Sequence, residues 1–123
     1  MELNDYQESA MTTCMASCNN LSYMFLNLVG EVGEFASKVA KHIRKGKAMI
    51  DNNQLITEVG DNVVSDEEME LLKAEAGDCL WQLSGLCKVM GWTLEDVAQQ
   101  NLDKLAARKK IGTIDGNGDG INR

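Results

Sequence analysis

Apolar residues recur at three- and four-residue spacing along two long stretches of the chain, the period of amphipathic helices. The first stretch predicts a helix from about Leu21 to Lys45 that stops at Gly46. Lys41, Arg44 and Lys45 fall in its last turn, where cations suit the helix dipole. The second opens on Ser65-Asp66-Glu67-Glu68, a capping box in which a serine and a glutamate three residues on satisfy each other's free amides. That helix runs to about Met90 and ends at Gly91. Two shorter helices flank the pair. One runs from about Asp5 to Cys18, with Asn4 as its cap and Asn19-Asn20 as its break. The other starts at Thr93, with Asp96 three residues on and Trp92 and Val97 spaced for a hydrophobic staple, and continues to about Lys110. Residues 46–64 read as an insertion loop with a short apolar piece, Gln54 to Val59. Residues 111–123 carry four glycines and read as a flexible tail. The pattern predicts an all-α, four-helix, bundle-like domain over residues 1–110.

The two long helices share a second pattern, Leu28-x-x-Glu31-x-Gly33-Glu34 and Leu72-x-x-Glu75-x-Gly77-Asp78. At about 100° per residue, Leu21, Met24, Leu28, Val32, Phe35 and Val39 form one apolar stripe. Glu31 falls about 60° to one side of it and Glu34 about 120° to the same side. On the later helix Leu72, Ala76, Leu83, Cys87 and Met90 form the stripe. Glu75 and Asp78 repeat the same offsets. Antiparallel packing by the stripes would bring four acids together at the rim of the core. Two carboxylates about 6 Å apart repel by roughly 3 kcal/mol at an effective dielectric near 20, and a divalent cation turns that repulsion into binding. Either acid pair alone is commonly a solvated face; two matched pairs favour a site.

Histidine helps choose the metal. His42 is the one histidine, so the Glu-x-x-His motif of di-iron bundles is absent. An all-oxygen set favours Mg²⁺, with Mn²⁺ as the alternative. Gly33 and Gly77 each cost about 1 kcal/mol against alanine inside a helix, and there they would admit a substrate or another backbone.

Composition narrows the picture further. The chain has 123 residues, 44% hydrophobic and without proline, which fits one helical domain. A net charge of −7 argues against nonspecific binding to nucleic acid or to an anionic membrane. No apolar run is long enough to span a membrane. The acidic start, Met1-Glu2-Leu3-Asn4-Asp5, lacks the features of a signal peptide, so a cytoplasmic protein is expected. Cys14, Cys18, Cys79 and Cys87 form no C-x-x-C pair; they read as reduced, small apolar residues, not zinc ligands. Asp115-x-Asn117-x-Asp119-Gly120 resembles the start of a calcium loop but lacks the glutamate such a loop needs at its twelfth position, so it reads as plain tail.

These residues resemble the MazG-like nucleotide pyrophosphohydrolases of the all-α type. The family pattern is Glu-Glu-x-x-Glu followed by Glu-x-x-Asp on the next long helix. Here the segments read Gly30-Glu31-Val32-Gly33-Glu34 and Glu75-Ala76-Gly77-Asp78. Gly77-Asp78-Cys79-Leu80-Trp81 is similar to the family's Gly-Asp-x-Leu-Trp. Gly91-x-x-Leu94-Glu95-Asp96-Val97-Ala98, leading to Asn101-Leu102-x-Lys104-Leu105-x-x-Arg108, resembles its closing helix. Tyr6-Gln7-x-x-Ala10 resembles the opening of smaller members. Gly30 departs from the pattern, standing where the family has its first glutamate. The gap of about forty residues between the acid pairs is also long, so residues 46–64 look inserted, as a substrate lid or an oligomer contact.

The resemblance implies hydrolysis of a nucleoside triphosphate, deoxynucleotides above all, to the monophosphate and pyrophosphate. It implies Mg²⁺ held by Glu31, Glu34, Glu75 and Asp78, with Glu34 the choice for general base, and a homodimer or homotetramer. Lys38, one turn after Glu34, reads either as its ion-pair partner or as a phosphate ligand with a part in catalysis. Asn101, Lys104 and Arg108 share one helix face, by spacing a solvated face, by resemblance a phosphate contact. Trp81 reads as core or as a base-stacking platform. The basic run Lys38, Lys41, Arg44, Lys45 and Lys47 reads as a solvated helix end. The rival readings are a catalytically silent nucleotide-binding or oligomerisation module and a purely structural bundle.

Overall fold

The computed structural model describes residues 1–112. Four helices carry the fold: α1 (Leu3–Met11), α2 (Leu21–Arg44), α3 (Asp66–Val89) and α4 (Leu94–Lys110), with a 3₁₀ turn at Ala16–Cys18. The all-α reading holds. Residues 113–123, with the calcium-loop-like stretch, lie outside the described residues.

Local chemistry sets the ends of the long helices. The Asn20 side chain accepts the Tyr23 amide at 2.8 Å and starts α2, and Gly46 ends it at φ +73°. The capping box of α3 is closed on both sides, Glu68 N–H to Ser65 Oγ at 3.1 Å and Ser65 N–H to Glu68 Oε1 at 3.0 Å. α1 is shorter than expected. The Thr12 and Thr13 hydroxyls donate back to the carbonyls of Ser9 (2.6 Å) and Ala10 (2.7 Å), competing with helix propagation there.

Asn4 does not cap its own helix. Glu2 occupies that position without a side-chain cap. The Asn4 Oδ1 instead accepts the Glu95 amide at 3.0 Å, Gln7 Oε1 accepts the Leu94 amide at 3.0 Å, and Thr93 Oγ1 accepts the Asp96 amide at 3.2 Å. The first turn of α4 is thus capped largely from α1. The buried Gln7 completes the joint, donating to the carbonyls of Ser84 (3.2 Å) and Trp92 (3.1 Å).

Residues 46–64 are not a plain loop. They form two antiparallel hairpins: β1 (Met49–Asp51) with β2 (Gln54–Ile56), and β3 (Glu58–Val59) with β4 (Asn62–Val63). Asn52 (φ +51°) and Asn53 (φ +61°) both take the left-handed region that a type I′ turn requires. Gly60 supplies a positive φ at the start of the second turn. Buried Ala48 and Val64 root the hairpins, lining an apolar gap with Val39, Met69 and Leu72.

The strongest packing joins α2 to α3. The pairs Met24–Gly85, Asn27–Gln82, Lys38–Glu75 and His42–Glu68 fix them as antiparallel. Their contact face takes in only part of the expected apolar stripes. Met24 is fully buried, yet on the same stripe Leu21 is 52% and Val32 55% exposed. On α3, Leu72 and Cys87 are buried, but Leu83 is 39% and Met90 44% exposed. The helices are rolled so that Asn27 meets Gln82, and Met24 fills the space over Gly85. The acids move from the rim toward the seam, and part of each stripe faces outward.

Candidate metal centre

Glu31 projects from α2, and Glu75 and Asp78 from one turn of α3. One carboxylate oxygen of each lies within 4.8 Å of the others. Antiparallel packing and the shared roll produce this meeting. Glu34, one turn beyond Glu31, is exposed and stands outside the trio. Lys38 does not pair with Glu34. Its Nζ reaches across the seam to Glu75 Oε1 at 3.1 Å.

Second partners hold the trio. Asn27 Nδ2 donates to Gln82 Oε1 at 2.8 Å and to Glu31 Oε1 and the Tyr23 hydroxyl at 3.3 Å each. Burial, then the Asp78 and Glu75 charges, push the Glu31 carboxyl above the usual carboxylate range, with the Asn27 hydrogen bond acting against them. Burial, then the Glu31, Asp78 and Glu75 charges, push the Cys79 thiol up. Burial, then Asp78, likewise push the Tyr6 phenol up, with the Ser84 hydrogen bond acting against them. Such mutual repulsion is what an all-oxygen cation site relieves, so the donor set fits a hard divalent ion.

The other expected site residues are distributed differently. The Trp81 indole N–H donates to Ala10 O at 3.1 Å and Thr13 Oγ1 at 2.9 Å, tying α3 to the end of α1. Asn101 is exposed, and Lys104 and Arg108 are half-buried, on α4, which packs chiefly on α1. Asn27, Gln82 and Tyr23 were not singled out in the sequence. Asn27 lies one turn before Glu31 on the same face, and an amide in an apolar stretch was the available signal.

A family model for the MazG nucleotide pyrophosphohydrolase domain matches residues 19–112, the span that carries the trio. The chain belongs to this family. It is 35% identical over 126 residues to the Gene 37 protein of Mycobacterium phage L5, covering 97% of this chain and 98% of that one. No solved structure matches. MazG family membership agrees with the helical fold and with the two acidic segments meeting across α2 and α3. Among the described residues no helix is long and apolar enough to cross a membrane.

Proposed function

We propose that this MazG-family chain hydrolyses (deoxy)nucleoside triphosphates to the monophosphate and pyrophosphate with Mg²⁺, or Mn²⁺ in its place. The observation that carries the reading is the convergence of Glu31, Glu75 and Asp78 within 4.8 Å on the seam of α2 and α3, inside the family match. A bound cation there would neutralise the triphosphate and polarise the α-phosphorus.

The chain's own residues supply the rest. Water attacks the α-phosphorus, the α–β phosphoanhydride bond breaks, and pyrophosphate leaves with the bonding pair. Glu34 is the proposed base for the water proton; it is exposed beside the trio, with no ion pair among the described residues. Lys38 holds Glu75 in place and offers its charge to the leaving group. Trp81, Asn101, Lys104 and Arg108 remain proposed substrate contacts. The outward apolar positions, among them Phe25, Val29, Val32 and Leu80, support a homodimer or homotetramer. The free cysteines suit a reducing cytoplasm.

Gly30 supports a second reading, a nucleotide-binding module without turnover. A pyrophosphate-release assay over a dNTP and NTP panel separates the two. The hydrolase reading expects Glu75→Gln and Asp78→Asn each to abolish release with helical circular dichroism intact. Full activity in both variants would refute it.

A further inference from the structure

Along α2 beyond the trio, Lys38, Lys41, His42 and Lys45 follow i, i+3, i+4, i+7 spacing, so they share one face. Together with Glu68 and Leu71 of α3 they line a cavity of about 150 Å³. That is space for about five waters at ~30 Å³ each, enough for a phosphoryl group or two and too small for a nucleoside.

The cavity is a cationic pocket in a chain of net charge −7. Its one carboxylate is already engaged. Glu68 accepts Lys47 Nζ at 2.9 and 3.0 Å and the Ser65 amide at 3.0 Å. The His42 Nδ1 is buried without a hydrogen-bond partner, 3.8 Å from Glu68 Oε2. Lys41 and Lys45 form no ion pair among the described residues. Lys38 is paired with Glu75 and Lys47 with Glu68, which leaves Lys41 and Lys45 as the lining cations without an acid partner among the described residues. Lys38 belongs to both places: it lines the cavity, and its Nζ sits on Glu75 of the trio.

Distance allows one ligand to use both. At 1.5 Å rise per residue, Lys38, Lys41 and Lys45 stand about 10, 15 and 21 Å along the axis from Glu31, and the Lys38–Glu75 ion pair joins the cavity to the trio. Helical side chains lean toward the N-terminus of their own helix, so on these antiparallel helices the α2 lysines and the α3 acids Glu75 and Asp78 lean toward each other. Cations in a last helix turn also answer the dipole. The dipole, however, does not account for their gathering with His42 around one cavity.

We propose that this cavity is a phosphate pocket, which receives the terminal phosphoryl groups of a polyphosphate ligand whose α-phosphate lies at the Glu31–Glu75–Asp78 trio. The assignment rests on the proposed function for its orientation. It predicts that affinity follows the length of the phosphate tail, while the nucleoside lies outside the pocket.

Calorimetry on the full chain tests it, with Mn²⁺ present and inorganic tripolyphosphate, pyrophosphate, a non-hydrolysable dNTP and a dNMP as probes. Lys41→Ala/Lys45→Ala is compared with Arg44→Ala/Lys73→Ala, which removes equal charge from outside the pocket. The pocket variant should bind tripolyphosphate and the dNTP analogue at least tenfold more weakly than the control pair, with Mn²⁺ and dNMP affinities unchanged. Equal weakening in both variants, or no tripolyphosphate binding by the parent chain, would overturn the proposal. Weakened pyrophosphate with unchanged dNTP analogue would also overturn it, since the pocket would then serve a free anion alone. Failure of the hydrolase reading shows separately, as no pyrophosphate release from any nucleotide by the parent chain.

Discussion

Gly85 offers a sharp test of how α2 and α3 meet. A β-carbon there would overlap Sδ and Cε of Met24 and lie 3.3 Å from its Cγ. Met24 is wholly buried, with its sulfur 3.6 Å from Gln82 Nε2, so its Sδ and Cε must shift within the core to admit the new methyl. Two effects compete in Gly85→Ala. Alanine gains about 1 kcal/mol of helix propensity. Overpacking a filled core site costs about 1–3 kcal/mol. The expected net loss is about 0–2 kcal/mol, a fall of up to about 10 °C in melting temperature for a domain of this size. Gly33→Ala and Gly77→Ala are the controls. A β-carbon at either meets nothing within 4 Å, so each should stabilise by about 0.5–1 kcal/mol. Urea unfolding followed by far-UV circular dichroism at two protein concentrations measures all three. The decisive arm is Met24→Ala, costing about 2–5 kcal/mol alone. In that background Gly85→Ala should turn stabilising, because the vacated volume accepts the new methyl. An equal cost of Gly85→Ala in both backgrounds would refute the packing argument. Reduced turnover in Gly33→Ala or Gly77→Ala, despite raised stability, would mean that substrate or a second chain uses the open space beside them.

Two other predictions concern the supports of the site. Asn27→Ala should weaken Mn²⁺ binding by about tenfold, because it frees Glu31 and leaves Gln82 without its donor; unchanged affinity by calorimetry would remove Asn27 from the site. Glu68 is held at a pKa of about 2 against 4.5, chiefly by the Ser65 amide and then by Lys47. A lowered carboxyl pKa stabilises the fold fully above the unfolded value, and that stability is lost as pH falls through the folded one. The urea-midpoint gap between the parent chain and Glu68→Gln should therefore be constant above pH 5 and close between about pH 4.5 and 2; a gap that persists at pH 2 would contradict this.

The long helices were legible because their signals are local: Asn20, Ser65, Glu68, Gly46 and Gly91 each act within a few residues. Matched spacing pointed to four converging acids, of which Glu31, Glu75 and Asp78 meet and Glu34 stands apart. The roll of α2 on α3 was not. A helical projection ranks faces by apolarity, whereas the Asn27–Gln82 hydrogen bond and the gap at Gly85 are pairwise facts between distant segments. For the same reason Lys38 found Glu75 across the seam, not Glu34 along its own helix. The hairpins had a readable mark in Asn52-Asn53, an amide pair that tolerates left-handed backbone. The cap of α4 by Asn4 and Gln7 spans about ninety residues, and no local pattern announces it.

That long-distance cap has a consequence for the order of folding. Gln7 finds its partners at Ser84, Trp92 and Leu94, and Asn4 finds its own at Glu95. During synthesis the first helix therefore emerges with its polar side chains unanswered, until most of the chain has followed. A nine-residue helix is marginal alone. It would wait as a fluctuating segment while α2 and α3 pair through their nearer contacts. Its docking closes a loop spanning most of the domain, an entropic cost that contacts between distant residues meet late. The first residues made would thus be among the last to settle, and their arrival would lock α4.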